Sequence, residues 1–138
     1  MSTISPETAL IYTMVLVSAS DREMSDTELM RMGVLVQSLP AFAGYDANRL
    51  VTDANGCADI LADDEGLDAV IGLIAEAVPA DHVDLIYAVA CEVAVADGRL
   101  SQEELRVLEL IRHRLNVDRL TAAAIERGAA ARRKTFNG

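Results

Sequence analysis

Two stretches of the chain are apolar on nearly every side of a helix, and five others carry a single apolar stripe. Leu10, Ile11, Met14, Val15, Leu16 and Val17 predict a first helix, from Pro6 to about Ser20, that other helices enclose. Val83, Ile86, Tyr87, Val89, Ala90, Val93 and Ala94 predict a second central helix, with Asp81 available to cap it. Elsewhere apolar residues recur every three or four positions: Leu29, Met32, Val36 and Leu39 from Ser25 to Pro40, and Leu67, Val70, Ile71, Ile74 and Val78 up to Pro79. Leu105, Leu108, Ile111 and Leu115 do the same between Ser101 and Asn116, as do Leu120, Ala123, Ala124 and Ile125 between Asp118 and Ala131. Asp46–Ala62 reads as a helix through Leu50, Val51, Ala58 and Leu61, although Asn55-Gly56 interrupts it, and Pro40 to Tyr45 reads as a loop. Seven helices on short connections predict an all-α, single-domain bundle over residues 1–138.

The helix starts repeat. In Ser5-Pro6-Glu7, Ser5 can cap, Pro6 occupies the first turn and Glu7 faces the positive end of the dipole. Ser25-x-x-Glu28 and Ser101-x-x-Glu104 both have capping-box spacing. These two belong to a longer repeat at an offset of 76 residues, in which Asp21 matches Asp97, Ser25 matches Ser101, Glu28 matches Glu104 and Leu29 matches Leu105. The bundle therefore contains an internal helix-turn-helix duplication with one Asp and one Glu per turn. Asp63-Asp64-Glu65 reads as an acidic helix start rather than a metal site, because consecutive residues point in different directions.

Composition narrows the core and the partners. Only five residues are Phe or Tyr and none is Trp, so the core is aliphatic. Residues 1–104 hold 19 acids against 4 bases, and residues 105–138 hold 3 acids against 8 bases, which leaves the body strongly negative within a net charge of −10. Such a body repels nucleic acid and membrane phosphates. Arg132-Arg133-Lys134 is too short for nucleic-acid binding and reads as a solvated helix end. Cys57 and Cys91 sit in apolar helical pattern and read as reduced core residues of a cytoplasmic protein. Leu10–Val17 lacks the basic flank of a signal peptide, and Asp21 and Glu92 break the apolar runs before they reach the ~18 residues of a membrane span.

The acidic turns are the candidate site. Asp21 and Asp97 fall at the C-terminal ends of the two central helices, where a negative charge meets the negative dipole end at a cost of ~0.3–1 kcal/mol. Arg22 or Arg99, solvent, or a bound cation would each offset it. Asp and Glu offer oxygen ligands only, which suits Ca²⁺, Mg²⁺ or Mn²⁺; the spacing leaves open whether the two turns share one ion. Asp97–Glu104 also matches the second half of an EF-hand loop, but Val93 and Val95 occupy the positions of its first acidic ligands, which excludes that motif.

An apolar helix, then Ala96-Asp97-Gly98, then Ser101-x-x-Glu104-Leu105, with a weaker copy at Asp21 and Glu28, resembles the tellurite-resistance TerB-like family over nearly the whole chain. The resemblance implies an internally duplicated all-helical fold and a bacterial cytoplasmic protein of tellurite and other stress responses, without catalysis. It also implies a metal role for Asp21, Glu28, Asp97 and Glu104, and a protein partner, with a membrane-associated stress complex as one candidate. Arg22 stands where the second copy has Gly98, and a side chain is disfavoured at positive φ, so the second corner is the stronger site. The remaining chemistry is thin. His82 beside Asp81 and Asp84, and Glu109 with His113, read as solvated surface groups, and no phosphate loop or nucleophile motif is present. The alternative to a cation-binding module is a metal-independent interaction module that uses its acidic surface.

Overall fold

The computed structural model describes residues 4–18, 25–96 and 100–137. Among these, seven α-helices and three short 3-10 turns account for the regular structure: α1 Pro6–Ser18, α2 Asp26–Ser38, α3 Leu50–Leu61, α4 Gly66–Ala77, α5 Val83–Ala94, α6 Gln102–Arg114 and α7 Arg119–Ala131. The expected all-α bundle is what forms. Every residue from Thr8 to Val17 is buried, as a helix apolar on all sides requires, and α1 packs against α5, α3, α4 and α6. Leu16 and Val89, on the two central helices, are both buried. Each large aliphatic side chain enclosed this way contributes about 1.5–3 kcal/mol relative to exposure.

Local chemistry sets the helix ends. Ser5 Oγ accepts from Thr8 N at 3.1 Å and Asp118 Oδ2 accepts from Thr121 N at 3.1 Å, so both of these sequence-read caps form. At the end of α6, Asn116 takes φ 59°, Val117 N–H donates to Arg112 O at 2.9 Å and Asn116 N–H to His113 O at 3.1 Å. This is a Schellman stop, with the buried Val117 as its apolar plug.

Other starts differ from expectation. Asp81 lies within the 3-10 turn Ala80–His82 and its Oδ1 sits 2.8 Å from His82 Nδ1, so α5 begins at Val83 without a side-chain cap. Nor does the acidic triplet cap α4: no side-chain bond closes that start, and the chain turns by Gly66 N–H donating to Asp63 O at 3.0 Å. Gly66 is required there, because a Cβ would stand 2.1 Å from the Ile60 carbonyl oxygen.

Helices α3 and α7 are phased differently from their apolar patterns, and α6 keeps its expected stripe of Leu108, Ile111 and Leu115 but departs at one position. In α3 the buried face is Leu50, Asp53, Ala54 and Cys57, and Val51 is exposed. Asp53 is a carboxylate on a core-facing position, which hides the true register from a hydrophobicity count. It accepts from Thr8 Oγ1 at 3.1 Å and from Tyr45 Oη at 2.6 Å, with Arg49 at 3.6 Å, and so ties α1, α3 and the segment before α3 together. In α6, Val107 is buried and Leu105 is not; in α7, Ala122 and Ala129 pack while Leu120 stays 78 % exposed. Cys57 and Cys91 are both buried free thiols, as expected.

Candidate functional site

Both capping boxes close, with nearly the same geometry. Ser25 N–H donates to Glu28 Oε1 at 2.9 Å and Glu28 N–H to Ser25 Oγ at 3.1 Å; Ser101 N–H donates to Glu104 Oε1 at 2.9 Å and Glu104 N–H to Ser101 Oγ at 3.0 Å. The repeated sequence thus gives a repeated local structure. Each bond to a serine N–H uses one carboxylate oxygen, and a carboxylate has a second oxygen with its own lone pairs. Capping and ligation are therefore compatible in one residue.

Packing of α1 on α5 brings the two copies to the same end of the bundle. Glu28 and Glu104 line one cleft of about 400 Å³, together with Ser18 at the end of α1, Ala96 just past the end of α5, and Glu92. Glu92 was not among the sequence candidates. Its signal was present, since it is the charge that interrupts the apolar run of the second central helix. Asp21 and Asp97, with Arg22, Gly98 and Arg99, lie outside the described residues. Of the four predicted ligands, the structure brings Glu28 and Glu104 to a common cavity.

Positive charge reaches this cleft from two directions. Arg31 of α2 lines it, and so does Arg133 from the C-terminal tail. The tail is more than the solvated helix end expected of Arg132-Arg133-Lys134. Arg133 Nη2 donates to the Ala96 carbonyl at 3.0 Å, and Arg132 Nη1 lies 3.5 Å from Glu92 Oε1. The reason is tertiary: α7 runs beside α5 in the same direction, with Tyr87 opposite Glu126 and Glu92 opposite Arg132, so the two helices end together. A guanidinium there meets the carbonyl-rich negative end of α5.

Oxygen donors alone suit hard cations, and Ca²⁺ takes six to eight of them. Among the described residues no three His, Cys, Asp or Glu side chains gather closely enough to hold an ion by themselves. Glu28 and Glu104 offer oxygen donors of the kind such an ion takes.

A second cavity, of about 450 Å³, is an apolar groove with α5 as its floor and α6 and α7 as its walls. Leu100 and Leu105 stand on its edge, each 43 % exposed. Tyr87 Oη donates to Glu126 Oε2 at 2.5 Å on its floor, and burial followed by this bond raises the tyrosine pKa. Burial pushes the neighbouring Cys91 thiol up to about 11. The side-chain pairs read as solvated surface remain so: His82 with Asp81 is exposed, and His113 lies against Arg112 on the outside of α6. Among the described residues no helix is long and apolar enough to cross a membrane.

An internally repeated all-α module, with two capped acidic helix starts converging on one cleft, is the class that fold and site define. The profile of the tellurite resistance protein TerB family matches residues 7–127, and the chain belongs to that family. Comparisons with curated proteins and with solved structures gave no match.

Proposed function

We propose that this protein is a non-catalytic, cytoplasmic, divalent-cation-binding module of the tellurite-resistance and stress-response type. Glu28 and Glu104 supply carboxylate oxygens from the two halves, and Asp21 and Asp97 supply the oxygens of the turns. The ion is Ca²⁺, Mg²⁺ or Mn²⁺, and occupancy is read by a protein partner. The observation that carries this reading is the convergence of the two capping-box glutamates, from copies 76 residues apart, on a single cleft.

Calorimetric titration with each of the three ions, paired with thermal melting, tests it. A cation bound only by the folded state stabilises it by mass action, by about 2.7 kcal/mol at a hundredfold excess over Kd, and so raises the melting temperature. Asp97→Asn should weaken binding more than Asp21→Asn, and Glu104→Gln should lose the ion response while retaining its cap. No heat and no change in melting with any of the three ions at millimolar concentration would refute the reading.

The groove between α6 and α7 favours a second reading, a metal-independent interaction module. There the exposed Leu100 and Leu105, flanked by the acidic body, dock a partner protein directly.

A further inference from the structure

The negative ends of α5 and α7 lie side by side, and the positive charge that offsets them comes from the chain itself. Arg133 satisfies the Ala96 carbonyl, one residue before Asp97, and Arg132 pairs with Glu92 on the wall of the cleft. Neither contact is sequestered: Arg132 is 74 % exposed and Glu92 28 %. An exposed ion pair with one charge-assisted hydrogen bond holds a tail with a docking constant of roughly 3 to 10, which is reversible on binding of a stronger charge. Beyond these contacts the tail is open to solvent, and Phe136 is fully exposed.

We propose that Arg132 and Arg133 are a built-in counter-cation for Glu92 and the carbonyl end of α5, displaced when a divalent cation binds in the cleft, so that ion occupancy is converted into release of the C-terminal tail. This rests on the cation reading above and adds its output. A divalent ion in the cleft competes for the Glu92 carboxylate that Arg132 pairs with and repels the Arg133 guanidinium on the cleft lining, so ion and docked tail disfavour one another. By reciprocity, the docked tail lowers apparent ion affinity by the factor that the ion lowers tail docking. The released segment, Arg132-Arg133-Lys134-Thr135-Phe136, is basic with one aromatic, opposite in charge to the body it leaves.

Calcium, magnesium and manganese binding by calorimetry is compared among the parent, Arg132→Ala/Arg133→Ala, and Lys134→Ala, which removes charge from the same tail. The double variant should bind the ion about three- to tenfold more tightly, and Lys134→Ala less than twofold. Because the chain has no tryptophan, Phe136→Trp in the otherwise parental protein gives a single reporter, and its fluorescence anisotropy should fall as Ca²⁺ or Mg²⁺ saturates the site. Ion binding that is equal in the parent and double variant, an equal effect per charge from Lys134→Ala, or anisotropy unchanged at saturation would overturn the inference and leave the cation reading standing. Absence of binding by parent and double variant alike would overturn both.

Discussion

Replacing glycine by alanine should have opposite signs at two helical positions of this protein. At Gly66, the first residue of α4, a Cβ would lie 2.1 Å from Ile60 O, 2.7 Å from Leu61 Cα and 2.9 Å from Ile60 C. All three are backbone atoms at the end of α3, so no rotamer change relieves the contact and the junction itself must open. Overpacking of this kind costs about 1–3 kcal/mol, and a backbone obstacle places Gly66→Ala at the upper end. At Gly128, in the last turns of α7, a Cβ meets nothing within 4 Å among the described residues. There only the intrinsic preference acts, and Gly128→Ala should stabilise by ~0.5–1 kcal/mol. For a chain of 138 residues, one kcal/mol moves the melting temperature by roughly 3–5 °C. Thermal melts followed by far-ultraviolet circular dichroism should therefore show a fall of about 6–15 °C for Gly66→Ala and a rise of about 2–5 °C for Gly128→Ala. Equal shifts in the two variants, or a Gly66→Ala protein as stable as the parent, would refute the close approach of α3 and α4.

Asp53→Ala leaves the Thr8 and Tyr45 hydroxyls without their acceptor and should cost about 2–4 kcal/mol in urea unfolding, whereas Tyr45→Phe should cost only about 1 kcal/mol. Burial, followed by the bond to Asp53, raises the Tyr45 pKa above its ordinary 10.0. That contribution is present below about pH 10 and lost as pH rises through the folded-state value, so the alkaline loss of stability should be shallower in Tyr45→Phe. Burial pushes the Cys57 thiol up to about 12 and that of Cys91 up to about 11, so a thiol reagent at neutral pH should label native protein far more slowly than denatured protein. Equal labelling rates in the two states would contradict the buried placement.

The parts of the fold that could be read from sequence are those set by neighbours in the chain. Ten consecutive buried residues in α1, the closed boxes at Ser25 and Ser101, and the caps at Ser5 and Asp118 each depend on residues within four positions of one another. The misread parts depend on distant partners. Asp53 belongs to the buried face of α3 only because Thr8 and Tyr45 bring hydroxyls to it, and its presence there turned the apparent apolar face toward Val51. Leu120 fits a helical stripe, yet α7 meets α5 through the smaller Ala122 and Ala129, which bury less apolar surface. The candidate site divides the same way. Glu28 and Glu104 were legible from their motifs and Glu92 as the charge that interrupts an apolar run, whereas Arg132 and Arg133 enter through the alignment of α7 beside α5.

That alignment has a consequence for how the molecule opens. Among the described residues α7 rests chiefly on α5, while α5 is also held by α1 and α6. Its buried anchors are two alanines, and nine of its thirteen residues, from Arg119 and Leu120 at its start to Ala130 and Ala131 at its end, belong to an outer surface that water already reaches. A helix held on one side by so little apolar area is the natural unit of sub-global unfolding, with amide hydrogens that exchange well before those of α1. When it lifts, the floor of the apolar groove at Tyr87 and Cys91 and the carbonyl end of α5 are uncovered in one event. Two surfaces that look separate in the folded protein thus share a single opening free energy.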